Sequence, residues 1–334
     1  MSEMPPIFEL LDVEKAYQVS RPSGFPAQRS FQLKALDGVR LRVEAGSSTA
    51  LVGESGSGKS TLLRVLLGLT QPTNGHARFR GHPIAEARAA GAGPGNGAGG
   101  AGSFHREVAM IYQDARGSLN PRMTVLDLIA APLRHFRLCS AAEVPARVAQ
   151  LLQRTGLPGD VARRYPTALS GGQIRRVAIA RALAQDPAVL VADEAVSGLD
   201  VSTQAQLLNL LRDLQRSMGL TLLFITHDLG VASYLCEHIA IMYLGRIVEA
   251  GPTGAVLAAP AHPYARALRA ASPQFFAPIA APLPGEIPSP VDLPPGCRFA
   301  GRCGIAQDDC RQTDPALTRL SPARAVACLH PLAT

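Results

Sequence analysis

Tryptophan is absent from the chain, and aromatic residues make up only 5% of its 334 residues. Proteins that bind single-stranded nucleic acid stack its bases on aromatic side chains, and no such platform is evident. No apolar run approaches the roughly 18 residues that a membrane-spanning helix needs. The opening segment MSEMPPIFELLDVEKAY has the acidic Glu3 and no basic stretch before an apolar one, unlike a signal peptide. These absences predict a cytosolic chain that forms no pore and binds no nucleic acid.

The composition is otherwise that of a globular protein with a sizeable core. Hydrophobic residues account for 47% of the chain and charged residues for 18%. The net charge of +7 is compatible with an arginine-rich solvated surface or with attraction to anions. Six cysteines in a cytosolic chain argue against structural disulfides.

Short apolar strands alternate with helical stretches, which predicts an α/β fold with a mixed sheet. The strand candidates are 48–53, 108–113, 188–193 and 222–227, and 239–251 is predicted to form two strands around a turn at Gly245. Helices are expected after Lys59, Gly172, Val201 and Asp228. Residues 124–168 are predicted to be wholly helical, with a capping box from Ser140 to Glu143.

Composition also predicts the domain organisation. Residues 1–251 form one domain with a helical subdomain at about 114–186, and the Gly/Ala-rich segment 89–103 is a flexible surface loop without chemistry. Residues 252–296 form a linker with a short helix (262–271) and a Pro-rich stretch, and residues 297–334 form a cysteine-containing extension. No internal repeat is present.

The segment GESGSGKS, from Gly53 to Ser60, fits the phosphate-binding pattern G-x-x-x-x-G-K-[ST]. Glycines let the backbone wrap around phosphate oxygens, Lys59 supplies positive charge, and the Ser60 hydroxyl is a ligand for Mg²⁺. The segment lies between an apolar strand and an apolar helix, which is the context that phosphate binding by such a loop requires. Tyr17, earlier in the chain, is a candidate to stack on adenine or an ordinary surface or core tyrosine.

Acidic residues end a second apolar strand, AVLVADE. Asp193 at its tip is placed to hold Mg²⁺, and Glu194 to polarise an attacking water. Gln113 and His227 also end apolar strands, but alone neither residue is more than a polar side chain at a strand end.

The segment LSGGQIRRVAIARAL, residues 169–183, opens a basic helix with a Ser-Gly-Gly turn. Unpaired N–H groups and the positive end of the helix dipole suit this turn to binding an anion. The chain thus carries a second phosphate site about a hundred residues after the first.

Together these segments resemble the nucleotide-binding subunit of an ABC transporter. The matching motifs are the Walker A loop (Gly53–Thr61), the Q-loop Gln113, the signature LSGGQ (Leu169–Gln173), Walker B with Asp193 and Glu194, the D-loop SGLD (Ser197–Asp200) and the switch His227.

In this family two subunits pair head to tail, with each ATP between the Walker A loop of one subunit and the signature of the other. The resemblance thus accounts for the two phosphate sites. It implies an α/β P-loop ABC domain with a helical subdomain, and ATP hydrolysis coupled to transport. It implies that Glu194 and His227 are catalytic and that Ser60, Gln113 and Asp193 position Mg²⁺. The implied nucleotide-binding residues are Tyr17, Gly53, Ser55, Gly56, Gly58, Lys59, Ser60, Thr61, Gln113, Ser170, Gly171, Gly172, Gln173 and Asp193.

Two further segments resemble the oligopeptide and dipeptide importer subfamily. They are QDARGSLNPRMTV (113–125), closest to the F-type of its two ATPase subunits, and the tail from HPYAR (262–266) to VACLHP (326–331). The resemblance implies two membrane permease subunits, a second ATPase subunit, an extracytoplasmic solute-binding protein and a place on the cytoplasmic face of the membrane. Similar ATPases serve importers of nickel chelates, glutathione or opines, and a soluble non-transport ABC ATPase is a further alternative.

Four cysteines lie in the tail: Cys297, Cys303, Cys310 and Cys328. Their spacing lacks the C-x₂-C pairs of common zinc modules. Four thiolates suit a [4Fe–4S] cluster, and members of the resembled subfamily carry one in the matching extension. Zinc, with His330 as an extra ligand, and reduced cysteines without metal are the alternatives. Cys139 and Cys236 are predicted to be core thiols.

Overall fold

The computed structural model of the chain describes residues 5–22, 28–90, 104–272 and 285–333. Within these ranges the strands are β1 (Phe8–Pro22), β2 (Gln28–Val43), β3 (Ser48–Val52), β4 (Asn74–Phe79), β5 (His82–Pro83), β6 (Val108–Ile111), β7 (Val189–Asp193), β8 (Thr221–Thr226), β9 (His238–Tyr243), β10 (Arg246–Pro252), β11 (Thr318–Ser321) and β12 (Arg324–Val326). The helices are α1 (Lys59–Leu66), α2 (Ile84–Ala90), α3 (Phe104–Glu107), α4 (Val125–His135), α5 (Val144–Arg154), α6 (Gly171–Leu183), α7 (Val201–Met218), α8 (Leu229–Leu235), α9 (Thr253–Ala258) and α10 (Pro263–Ala271).

The first of two compact units contains the described residues of Met1–Glu44, Thr49–Ala85 and Thr226–Thr334. One of its sheets is antiparallel, with the order β2-β1-β4-β5. The other runs β11-β12-β10-β9-β3, in which β3 and β9 are parallel and the remaining pairs are antiparallel. The described C-terminal strands β11 and β12 therefore extend the sheet that contains β3, the strand leading into the phosphate-binding segment.

The turn between β9 and β10 falls at Leu244 and Gly245, which both have positive φ, +42° and +84°. A two-residue hairpin turn of this kind matches the twist of its strands and favours glycine. The predicted pair of strands around Gly245 is confirmed.

The second unit contains Ala45–Ser48 and the described residues of Glu86–Ile225. Its parallel strands have the order β8-β7-β6, and nearly all of their residues are buried. Burial on both faces explains why these strands are continuous apolar runs in the sequence. Helices α4 and α6 pack together in the same unit, each with a buried apolar face.

The prediction that residues 124–168 are wholly helical is wrong in detail. Helices α4 and α5 are separated by the turn 136–143, and two short 3-10 helices follow at Gly159–Arg163 and Pro166–Ala168. The Glu143 carboxylate does accept from the Ser140 N–H (2.8 Å), but α5 begins only at Val144. Proline in its first turn favours that start, because proline needs no N–H partner there.

Two smaller expectations are also corrected. Ala89 and Ala90 belong to α2 and not to a loop, while residues 91–103 of that predicted loop lie outside the described residues. Cys139 is half-buried in the turn after α4, whereas Cys236 is buried as predicted.

Helix α10 confirms the short helix predicted at 262–271. The domain boundaries given above stay predictions.

None of the helices in the described part of the chain combines the length and apolarity required for a membrane span.

Candidate functional site

The phosphate-binding segment connects β3 to α1 in the first unit. Gly56 and Gly58 have φ of +80° and +103°, in the left-handed region where side chains are strained. A Cβ at Gly53 would lie 2.3 Å from the Met242 carbonyl oxygen, and one at Gly58 would lie 2.6 Å from that of Ala35. The tight backbone of this loop therefore depends on these glycines.

Lys59 begins α1 and is buried, with its ammonium turned back onto the loop. Its Nζ donates to the carbonyl oxygens of Gly53 (2.6 Å) and Glu54 (2.9 Å). The positive charge is thereby held inside the curve of the loop, where an anion would meet both the ammonium and the first N–H groups of the helix.

The neighbouring candidate residues differ in exposure. Ser55, Gly56 and Ser60 are exposed, and Thr61 is half-buried in the first turn of α1. Tyr17 is a half-buried residue of β1, paired with Leu33, and the Lys15 ammonium lies 5.3 Å from its ring centre.

Gln113 and Glu194 meet in the second unit. Asp193 ends β7 and is half-buried, and Glu194 follows it with a φ of +44°. The Gln113 amide donates to a Glu194 carboxylate oxygen over 2.8 Å. A non-glycine residue at positive φ stores strain, and such strain is concentrated at functional sites.

The LSGGQ segment forms a capping box at the start of α6. The Ser170 hydroxyl accepts from the Gln173 N–H (3.3 Å), and the Gln173 side chain accepts from the Ser170 N–H (3.1 Å). The helix begins at Gly171, two residues earlier than predicted, and its first turn is open because Gly171 is exposed and Gly172 half-buried. The N–H groups of such a turn have no partner within the helix.

Arg175 is a structural partner of this segment that the sequence did not predict. Its guanidinium donates to the carbonyl oxygens of Ala195 (2.9 Å) and Ser197 (2.5 Å). It therefore links the signature helix to the backbone just after Glu194. Burial lowers the pKa of this guanidinium. No motif in the sequence singles out this arginine.

His227 lies exposed between β8 and α8 in the first unit. The following Asp228 is the N-cap of α8, where its carboxylate accepts from the N–H groups of Gly230 (2.7 Å) and Val231 (3.2 Å). The cap fixes the start of the helix and hence the backbone next to His227.

The four tail cysteines line one pocket in the first unit, together with His262, Phe299 and His330 among other residues. Each of them is a free thiol. Burial raises the pKa of Cys297 to about 11 and also raises the pKa of Cys328. Sulfurs with high pKa values bind metal only if the metal displaces their protons, which a bound cation favours.

The cysteine sulfurs are not arranged as in a tetrahedral zinc site. Among described residues, the group of ligand atoms that lie within 4.8 Å of one another consists of Asp309, Cys310 and His330, so no three of the four cysteines are that close. His330 Nε2 lies 2.8 Å from an Asp309 oxygen. Zinc–sulfur bonds of about 2.3 Å would hold the sulfurs closer together.

Two family models match the chain. The model described as ABC transporter matches residues 36–197, and the one described as oligopeptide/dipeptide transporter, C-terminal region, matches residues 248–310. The second match includes three of the four tail cysteines.

Curated relatives match over nearly the whole chain. The dipeptide transport ATP-binding protein DppF of Haemophilus influenzae is 38% identical over 99% of this chain and 98% of its own length. The oligopeptide transport ATP-binding protein OppF of Escherichia coli is 40% identical over 97% and 96%. The probable peptide ABC transporter ATP-binding protein y4tS of Sinorhizobium fredii is 44% identical over 89% and 82%.

Solved structures share the fold. The ATP-binding cassette MJ0796, in a dimer bound to ADP and Pi, is 27% identical with a TM-score of 0.60, covering 74% of this chain and 98% of that one. The cbiO1 protein of Clostridium perfringens has a TM-score of 0.61, with 76% and 91% covered, and at 24% identity it supports the fold alone. With relatives this similar along almost its full length, the chain belongs to the ATP-binding proteins of ABC transporters and is an ABC ATPase.

Proposed function

We propose that this chain is the energy-coupling ATPase subunit of an importer for di- or oligopeptides. The observation that carries the proposal is the C-terminal match: residues 248–310 fit the oligopeptide/dipeptide transporter model. The names of the relatives DppF and OppF point to the same cargo class.

The phosphate loop of the first unit holds the β- and γ-phosphates of ATP in this proposal. The Lys59 ammonium, which is bonded to the carbonyl oxygens of Gly53 and Glu54, meets the phosphates, and the loop N–H groups surround them. Bound Mg²⁺ neutralises charge on the phosphates. Ser60, Gln113 and Asp193 are its proposed protein partners, since hydroxyl, amide and carboxylate oxygens suit this hard cation. Tyr17 is proposed to contact adenine.

Glu194 is the proposed general base. Its carboxylate accepts a hydrogen bond from Gln113, so its orientation is set before a water is positioned for attack. His227 is proposed to contact the γ-phosphate and the attacking water from its exposed place before the capped helix α8.

The signature turn is proposed to bind the γ-phosphate held by a second subunit. Ser170, Gly171, Gly172 and Gln173 form the open start of α6, where N–H groups and the helix dipole favour an anion. Two subunits would then close around ATP and separate after hydrolysis, a switch driven by the differential affinity of the two states for ATP. The second subunit is either another copy or a different ATPase chain.

We further propose the membrane context that the resemblance implies. Two permease subunits would receive the motion of the ATPase pair at the cytoplasmic face of the membrane, and an extracytoplasmic solute-binding protein would deliver cargo. No residue of the ATPase is required to touch that cargo.

Uptake of labelled di- and oligopeptides tests this function. Cells carry the wild-type chain, Glu194→Gln or the surface control Glu86→Gln as the only copy. We expect uptake with the wild type and control and none with Glu194→Gln. Equal uptake in all three strains, once other peptide importers are deleted, would contradict peptide import. Nickel, glutathione and opine uptake would then be measured with the same strains.

The tail cysteines are proposed to hold one [4Fe–4S] cluster. The proposal is supported by the shared pocket and by sulfurs too far apart for a single zinc ion. Anaerobic purification should give about four irons and four sulfides per chain, with loss of both in Cys310→Ser. Zinc at one equivalent would favour the zinc alternative, and protein free of both metals would leave reduced thiols.

A further inference from the structure

We propose that the C-terminal extension positions the phosphate loop, with Arg302 and Tyr264 acting on the loop through Glu54. This inference rests on the proposed role of the loop in holding ATP. All three residues belong to the first unit, although Glu54 and Arg302 are 248 positions apart in sequence.

Glu54 is the second residue of the phosphate loop, and both its carboxylate and its backbone are held. Arg302 donates to the two carboxylate oxygens over 2.9 and 3.3 Å. The Glu54 N–H donates to the Tyr264 hydroxyl over 3.1 Å. A guanidinium that donates to both oxygens of a carboxylate fixes the orientation of that carboxylate as well as its distance. The bond from the Glu54 N–H to the Tyr264 hydroxyl fixes the backbone of the same residue.

The two positioning residues are themselves rigidly held. Arg302 is buried, and it also donates to the Tyr243 hydroxyl (3.3 Å). The rings of Tyr243 and Tyr264 lie 4.6 Å apart, and Phe299 packs 5.4 Å from each of them. Aromatic packing of this kind leaves little rotational freedom, so the Glu54 contacts have one geometry.

A second connection runs from the extension to the same loop. Arg298, also buried, donates to the Leu244 carbonyl oxygen and pairs with Asp37. The next residue, Gly245, donates its N–H to the Ser57 carbonyl oxygen over 2.8 Å. The extension thus supports the phosphate loop at Glu54 directly and at Ser57 through the β9–β10 turn.

These contacts matter for ATP because Glu54 is tied to Lys59. The Lys59 ammonium bonds to the Glu54 carbonyl oxygen, so a shift of Glu54 moves the charge that meets the phosphates. A loop already held in its binding geometry loses less conformational entropy when ATP arrives. Removing the contacts of Arg302 or Tyr264 with Glu54 should therefore weaken ATP binding and leave the rate of the chemical step unchanged.

A double-mutant cycle on the full chain tests the inference. The variants are Arg302→Met, Glu54→Gln and the pair, with Arg311→Met as control because Arg311 is an exposed arginine of the same extension. MgATP affinity is measured by calorimetry, and KM and kcat by phosphate release. We expect each single variant to weaken binding and raise KM about tenfold with kcat unchanged, the scale of one charged hydrogen bond. The pair should be no worse than either single variant.

Tyr264→Phe provides an independent test of the inference if Arg302→Met folds poorly. It removes only the hydroxyl that accepts from the Glu54 N–H and keeps the packed ring, so a severalfold loss of ATP affinity at wild-type thermal stability is expected. Wild-type affinity in Tyr264→Phe and Glu54→Gln, or effects of Arg302→Met and Glu54→Gln that add fully, would overturn the inference and leave the proposed function standing. Failure of the wild-type chain to bind ATP would overturn both.

Discussion

The Gln113 amide and the Glu194 carboxylate are joined by a 2.8 Å hydrogen bond across 81 positions of sequence. Gln113 follows β6, and Glu194 follows β7, the strand that pairs with β6 in parallel. Parallel neighbours end at the same edge of a sheet, which is where ligands bind in α/β proteins. The Q-loop and Walker B residues therefore form one polar pair at this edge of the sheet.

Glu194→Gln should keep ATP binding and lose about 10²- to 10⁴-fold in turnover, because it removes the proposed general base and keeps the shape of the side chain. Phosphate release under saturating MgATP measures the loss, and calorimetry measures the binding. Turnover like that of the wild type would contradict the role of Glu194 as base.

Gln113→Ala should lower kcat by about 10-fold, because it frees the Glu194 carboxylate without removing it, and a misplaced base is less efficient. Adding Gln113→Ala to Glu194→Gln should cause little further loss, since the two residues act as a unit. Fully additive losses would show that Gln113 acts independently of Glu194.

Ser170 has two separable roles that two variants distinguish. Ser170→Ala removes the N-cap of α6 and should lower the free energy of unfolding by about 1 kcal/mol. Ser170→Asp can still cap the helix, but its charge repels a γ-phosphate, so it should abolish ATP-driven dimerisation at near-wild-type stability.

Denaturant unfolding measures the stability of both Ser170 variants, and light scattering measures dimers in the Glu194→Gln background. An Asp variant that dimerises normally would show that the signature turn of α6 does not meet the phosphate.

Much of the fold could be predicted because its central strands are buried on both faces. β7 and β8 are mostly apolar runs, β3 is apolar after Ser48 and Thr49, and each strand was predicted to within one or two residues. The strands β1 and β2 mix polar with apolar residues, and β11 is exposed along its length, so periodicity gave no comparable signal. Their positions depend on pairing partners far away in sequence.

The candidate site was predictable where chemistry imposes a pattern. The phosphate-binding motif fixes the spacing of its glycines and its lysine, so Gly58 and Lys59 could be named from the sequence. Asp193 could be named because an Asp-Glu pair ends an apolar strand. Arg175 and Arg302 could not be named from the sequence, because each contacts backbone or side-chain partners that only the tertiary fold brings near. Nothing distinguishes them from other arginines in a chain with 33 Lys and Arg residues.

Cys236 should resist alkylation while Cys139 reacts. Burial raises the pKa of Cys236 to about 12, so almost none of it is thiolate at pH 8, and the side chain is only 5% exposed. Cys139 is half-buried in a turn. Iodoacetamide labelling followed by peptide mass spectrometry compares the two, and equal labelling rates in folded protein would contradict the burial of Cys236.

Arg324→Met should destabilise the chain by about 3 kcal/mol or more, because it leaves the Glu249 carboxylate buried without its cation. Glu249 is fully buried, and its oxygens accept from Arg324 (2.5 Å) and from the N–H groups of Ala261 (3.1 Å) and His262 (2.8 Å). This pair joins β12 to β10, so its loss should release the C-terminal strands from the sheet. Chemical denaturation and hydrogen exchange of residues 318–326 measure the two effects.

The double variant Arg324→Met with Glu249→Gln is the matched control for that experiment. A neutral amide at position 249 can still accept from one of the two N–H groups and carries no charge, so part of the lost stability should return. Recovery would show that the cost lies in the uncompensated charge and not in the shape of the arginine. If the double variant is no more stable than Arg324→Met alone, the uncompensated charge of Glu249 is not the cause of the lost stability.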